Sequence, residues 1–138
     1  MAKTFTAPFA QTPQTATAVV TGAAGTITGD SPTNTVELLT AGSDGAILTR
    51  LTAIPRATVT ASSLCVWISK DGGTTKRLID SELMAAFTVA TTTAIAETAF
   101  TLYTETTPLR LAAGDKLYVG SQVALASGII FRAEYTDF

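Results

Sequence analysis

An all-β fold is what this 138-residue chain predicts: a single jelly-roll-like antiparallel β-sandwich over residues 15–138, preceded by an extended N-terminal arm over residues 1–14. Three observations carry the prediction. Short apolar stretches, many of them alternating with polar residues, recur along the chain between turns rich in Gly, Asp and Ser. Threonine, whose branched Cβ suits a pleated strand, occupies 27 positions, while evidence of helix is confined to one short segment. Eight to ten such strands in about 120 residues suit a jelly roll better than a seven-stranded immunoglobulin type, for which a cysteine pair around a tryptophan is also missing.

The arm comes first. Residues 1–34 hold only two charged side chains, Lys3 and Asp30, and three prolines, Pro8, Pro13 and Pro32, each of which pushes the preceding residue toward extended geometry. Phe5 and Phe9 are the only bulky apolar side chains before Val19. They suit a segment that lies in a groove, either of its own core or of a neighbouring subunit. A first strand is expected over residues 15–21, where Ala16, Ala18 and Val20 alternate with Thr17 and Val19, followed by a loop over residues 22–32.

Val36, Leu38 and Thr40 alternate with Glu37 and Leu39, the run from Gly42 to Gly45 supplies turn chemistry, and residues 46–54 are apolar again. This reads as two strands joined by a tight loop. Residues 63–69 place Leu64, Val66 and Ile68 on one face and Cys65 and Trp67 on the other, which predicts a strand covered on both faces at the centre of a sheet. A polar hairpin loop over residues 70–76 leads to a strand from Arg77 to Asp80 with Leu78 and Ile79 buried, and the SELMAA segment after it holds one helical turn at most. Phe87 with Val89, and Phe100 with Leu102, mark two further strands. Leu109 and Leu111 end at Ala113-Gly114-Asp115, and Leu117 and Val119 resume. Val123 and Leu125 then lead through Ser127-Gly128, a two-residue hairpin signal, into a final strand carrying Ile129, Phe131, Ala133 and Tyr135.

Composition narrows the function. The chain has no histidine, which removes the commonest general base and metal ligand, and one cysteine, which forms neither an internal disulfide nor a thiolate cluster. No enzyme activity, no cofactor and no metal are therefore expected. A net charge of -2 with 14% charged residues gives no footprint for a phosphate backbone, so no nucleic-acid partner is expected. Apolar runs fall far short of the roughly 20 residues that span a bilayer. The opening MAKTFTAPFA lacks the basic-then-apolar order of a signal peptide, so no membrane partner and no export by this N-terminus are expected.

Each residue with chemical potential has a structural reading beside it. Asp71-Gly72-Gly73 resembles a fragment of a calcium loop but lacks the alternating oxygen ligands and closing Glu, so a hairpin turn is expected. Asp80 with Glu82, or Glu97 with Glu105, would be the carboxylate pairs of a glycosidase, yet nothing fixes their separation, and solvated loop charges are expected. Cys65 sits in an apolar strand without basic neighbours and reads as a buried thiol. Trp67, a possible carbohydrate platform, lies between Val66 and Ile68 and reads as core or interface. Gly22-Ala-Ala-Gly25 has no following helix or Lys and is no phosphate cradle.

Three phrases, LLTAGSDGAILTRLTAIP, LCVWISKDGGTTKRLID and LRLAAGDKLYVGS, together resemble a family of small tailed-bacteriophage virion accessory proteins, over about residues 36–135. The family shows a TAG-x-x-G turn, a DGG-like hairpin leading to R-L-I-D, and an A-G-D-x-L-Y-V strand, the last also found in complement-type and tumour-necrosis-factor-like jelly rolls. The resemblance implies a virion structural protein of jelly-roll type, a capsid decoration or cement protein on the outer surface of the phage head, made in the host cytoplasm. Its implied partners are the major capsid protein and itself, as a homotrimer at quasi-threefold positions. On this reading Lys3, Phe5, Pro8 and Phe9 of the arm contact neighbouring capsid subunits. The alternative is a tail-fibre or baseplate module that recognises a host-surface glycan through Tyr103, Tyr118 or Trp67. The family has no catalytic motif to carry over.

Overall fold

The computed structural model describes residues 12–138. They form nine strands: β1 (Thr12–Val20), β2 (Val36–Thr40), β3 (Ala46–Pro55), β4 (Ser62–Ser69), β5 (Arg77–Met84), β6 (Thr98–Ala99), β7 (Leu109–Leu111), β8 (Lys116–Ser121) and β9 (Ile129–Asp137). No helix occurs among the described residues. One sheet has the order β1-β9-β3-β6, with β7 also on β3, and the other has the order β2-β8-β4-β5. Every strand ladder is antiparallel. The two sheets face each other as a β-sandwich.

The pairing is nested. β1 pairs β9, β2 pairs β8, β3 pairs both β6 and β7, and β4 pairs β5. Alternation along the strands supplies the facing surfaces, because successive side chains point to opposite sides. Ala18 and Val20 of β1, Leu51 and Ala53 of β3, and Phe131 and Ala133 of β9 meet Leu64 and Val66 of β4 and Leu117 and Val119 of β8 in one core. Phe100 and Phe131 lie with ring centroids 6.2 Å apart and planes at 41°, within the range of favourable aromatic pairs.

β4 is the central strand that its two-sided pattern predicts, lying between β8 and β5. Its second face is covered by a strap, residues 22–34, rather than by a third sheet. Ala24, Cys65 and Trp67 form a separate buried cluster there, with Ile27, Leu78 and Tyr118 packed on it. The expected loop is thus ordered cover. It is pinned by Ala24 N–H to the Ser121 carbonyl (2.6 Å), by Asn34 Nδ2 to the Ala23 carbonyl (2.8 Å) and by Lys76 N–H to the Asp30 carbonyl (2.9 Å).

Several expectations change. β1 begins at Thr12, so residues 12–14, assigned to the arm, are paired with β9. Pro13 is tolerated because β1 is an edge strand with β9 on one side only. Ser81–Met84 extend β5 instead of forming a helical turn, since pairing with Ser62–Cys65 outweighs the weak local helix preference. Around Phe87 only one bridge forms, to Val59, and Phe100 lies just past the two-residue β6. Val123 and Leu125 belong to a loop that packs on the core, and Ser127-Gly128 joins strands of different sheets, not a hairpin. The 41–45 loop likewise crosses between sheets, from β2 to β3.

Candidate functional site

Lys3, Phe5, Pro8 and Phe9 lie outside the described residues. The site can be built from the rest of the chain, beginning where the turns converge. The turn after β7 is closed by Asp115, whose carboxylate accepts the Ala112 N–H at 2.9 Å and the Lys70 ammonium at 2.7 Å. The Asp115 side chain is 5% exposed and that of Lys70 is 67% exposed, so the charge pair is buried on the acid side only. The Asp115 carbonyl accepts from Ala41 N–H, and the Ala41 carbonyl accepts from Gly114 N–H. The loops 41–45, 70–76 and 112–115 therefore share one anchor.

The 70–76 loop is the expected hairpin turn. Asp71 Oδ1 accepts from Ser69 Oγ at 2.9 Å and from Thr75 N–H at 2.8 Å, so its carboxylate is spent inside the loop. These donors, Thr75 foremost, hold the Asp71 carboxyl below its ordinary value. Gly73 has φ +102°, and a Cβ there would lie 2.4 Å from the Tyr118 hydroxyl. Among the described residues no group of three or more metal-ligating side chains comes together.

The aromatic residues named for a glycan platform are not open faces. Trp67 is 0% exposed and its Nε1 donates to the Ile27 carbonyl at 2.8 Å. Tyr103 is buried, and the Lys76 ammonium sits 4.4 Å from the Tyr118 ring centre. Cys65 is fully buried, and burial pushes its thiol up from the ordinary value, partly offset by Ser63. Both observations agree with the structural readings of Cys65 and Trp67.

The proposed carboxylate pairs separate. Glu97 lies 3.5 Å from Arg50, which also approaches Glu134 at 3.8 Å. Glu105 lines a different, polar groove with Pro13, Thr49 and Glu134. Asp80 and Glu82 do share a face. Their partners on β4 are Val66 and Leu64, both core residues, so the two carboxylates lie on the inner side of the edge strand β5. Inward-pointing charges on an edge strand discourage indiscriminate edge pairing. Among the arginines, Arg77 pairs with Asp30 at 2.8 Å and so helps to hold the strap.

Burial, above all other effects, pushes the Asp80 carboxyl up, with Glu82 adding and the Ser81 N–H and Tyr103 hydroxyl opposing. Burial and Asp80 together push the Tyr103 phenol up, so it remains a donor facing the carboxylate, while Asp80 Oδ2 has no partner. Unfolded Asp80 titrates near the ordinary 3.8, whereas the folded chain holds its proton to higher pH. The folded state therefore binds the extra proton in that window, and stability falls as pH rises through it. Asp80→Asn is expected to raise the melting temperature at pH 7 and to lose that advantage by about pH 3. A pH-independent difference between variant and parent would refute this assignment.

The remaining feature is a groove between two edge strands, β5 of one sheet and β6 of the other. It has a volume of about 270 Å³, and its lining includes Pro55, Leu83, Met84, Phe87 and Ala99 together with Glu82 and Glu97. Leu83 is 70% exposed, the most open of the large apolar side chains described. Residues 85–96, beside it, contain no charge and are mostly exposed. Below roughly 300 Å³ such a groove suits one or two side chains rather than a cofactor. Chemically it offers apolar contact and two carboxylates. The sequence reading ends this strand at Asp80 and grants SELMAA one helical turn at most, so it does not contain the groove; the strand alternation that puts Leu83 outward is the available signal.

Comparison with family models, with curated proteins and with solved structures gives no match.

Proposed function

We propose that this chain is a non-enzymatic structural protein of a tailed-bacteriophage particle: a capsid decoration, or cement, protein. It binds as a homotrimer across neighbouring major capsid subunits on the outside of the head and stabilises the shell. The observation that carries this reading is the convergence of the three phrases that resemble phage accessory proteins. Their turns, residues 41–45, 70–76 and 112–115, meet at one end of the sandwich around Asp115. Residues far apart in sequence thus act as one structural unit.

Topology supports the same reading. A jelly roll is a long antiparallel hairpin wound into two sheets, so its first strand pairs its last and the pairing nests inward. The β1:β9, β2:β8, β3:β6/β7 and β4:β5 pairs follow that rule, with the outer edge of β3 shared by two short strands. β1 also starts at the Asp115 end, where Thr12 opposes Asp137 and the Asp137 carboxylate accepts the Gly42 N–H at 3.1 Å. The glycan-binding alternative loses support, because Trp67 and Tyr103 are buried and Tyr118 lies under Lys76.

Cosedimentation with undecorated shells tests the proposal. Saturable binding is expected, together with greater resistance of decorated shells to heat and osmotic shock. Protein that stays in the supernatant at all concentrations, or shells equally robust without it, would overturn the reading. Many modest contacts around a trimer act together through effective concentration, so the binding isotherm should steepen sharply on going from monomer to trimer.

A further inference from the structure

We propose that the groove between β5 and β6 receives residues 1–11 of a second copy of this chain, so that exchanged N-terminal segments hold the oligomer together. The groove is apolar at Leu83, Met84 and Phe87 and acidic at Glu82 and Glu97. Among the described residues Glu82 has no ion-pair partner.

Residues 1–11, MAKTFTAPFAQ, have the complementary chemistry. In an extended segment alternate residues share a face. Lys3, Phe5, Ala7 and Phe9 are all on one such face, a single cation followed by two aromatic rings, with Thr4, Thr6 and Pro8 on the other. The aromatic rings match the apolar lining of the groove, and the ammonium matches Glu82, the lining carboxylate without an ion-pair partner among the described residues.

Reach decides whose segment it is. β1 and β6 are opposite edges of their sheet, three strand spacings apart, and the groove lies at the end of the strands away from Thr12. With strands about 4.8 Å apart and about 3.3 Å of rise per residue, the lining of the groove on this sheet, from Ala99 to Pro55, is about 22–28 Å from Thr12 even in a straight line through the sheet. Phe9 is three residues from Thr12 and reaches at most about 11 Å, and Phe5 about 25 Å at full extension. A chain cannot place its own two rings in its own groove. A neighbouring copy can, and this moves the contact of Lys3, Phe5 and Phe9 from the shell to an adjacent copy. This contact rests on the oligomer of the proposed function but not on shell binding: a parent that self-associates yet ignores shells overturns only the decoration reading, and an oligomer that survives loss of both rings overturns only the groove.

The experiment is light-scattering mass against concentration for the full chain, its Leu83→Asp variant and its Phe5→Ala/Phe9→Ala double variant. The parent should self-associate, and both variants should do so at least about thirtyfold more weakly, as expected when buried aromatic anchors or their socket are lost. The double variant lies upstream of β1, so its urea unfolding midpoint as a dissociated chain reports whether the fold is intact. A pairing test adds Lys3→Glu, which should weaken association, and Glu82→Lys, which should restore it in the combined variant. The proposal is overturned if the parent is monomeric throughout. It is equally overturned if the double variant associates like the parent, including the case where Leu83→Asp alone dissociates it, since that outcome identifies a face-to-face contact without the N-terminal segment.

Discussion

Trp67→Ala should lower the stability of the folded chain by about 3–5 kcal/mol, the range for removing a large aromatic side chain from a packed site. For a chain of this size that is a fall in melting temperature of about 10–15 °C. Trp67 is fully buried, and it holds the strap in place by two means. Its ring fills the space above Gly120, where even a Cβ would come within 2.9 Å of Cζ3, and its Nε1 donates to the Ile27 carbonyl. Deleting it leaves a cavity between strap and sheet and an acceptor without its donor. Trp67→Phe keeps most of the packing and should cost less, about 1–2 kcal/mol for the lost hydrogen bond and residual volume. The same variant pair reports on the strap through Cys65, which lies in the same buried cluster. Native Trp67→Ala should react with a thiol reagent much faster than the parent. Equal stability of Trp67→Ala and the parent, or unchanged Cys65 protection, would contradict the role assigned to the strap.

Asp115→Ala is the second large effect expected, about 2–4 kcal/mol of lost stability. The change deletes an acceptor that serves Ala112 N–H and Lys70 Nζ inside a junction of three loops. The cost arises mainly from the lost hydrogen bond to Ala112 N–H and the emptied buried position of the Asp115 side chain, because the Lys70 side chain is mostly exposed and regains water when released. Asp115→Asn retains an acceptor for that N–H and should lose less than half as much. Urea unfolding of both variants measures the difference. If Ala and Asn replacements behave alike, the anchor is the charge pair with Lys70 and not the backbone hydrogen bond. A loss under 1 kcal/mol for Asp115→Ala, judged against the ordinary range for surface changes, would remove the anchor altogether.

Much of the strand content was legible because alternation is a local property. Leu64, Val66 and Ile68 against Cys65 and Trp67 identified a strand buried on both faces, and β4 lies inside its sheet with core on one side and the strap on the other. The turn chemistry of Asp71-Gly72-Gly73 identified a hairpin, and β4 and β5 pair across it. Turn chemistry could not say which sheet the next strand joins. Gly42–Gly45 and Ser127-Gly128 have the same local signals as a hairpin, yet each carries the chain between sheets, because the choice is made by which partner strand completes the core. The short SELMAA segment shows the same limit: its helix preference was weak, and pairing with β4 overrode it.

The candidate groove was hidden for a related reason. Leu83, Phe87, Pro55 and Ala99 come from separate parts of the chain, and only the packing of β5 against the far edge of the other sheet brings them together. By itself the sequence determined that this chain builds antiparallel sheets with a hydrophobic core, that Cys65 and Trp67 are buried, and that few of its residues are charged. Those properties follow from residue type and a two-residue period, which any strand of that composition expresses. The tertiary structure decided the nested order of the strands, the use of residues 22–34 as a strap over Trp67, the meeting of three distant turns on Asp115 and the opening between β5 and β6. Each of these depends on contacts between residues tens of positions apart, and contacts of that kind are settled by how the whole core packs, not by any one segment.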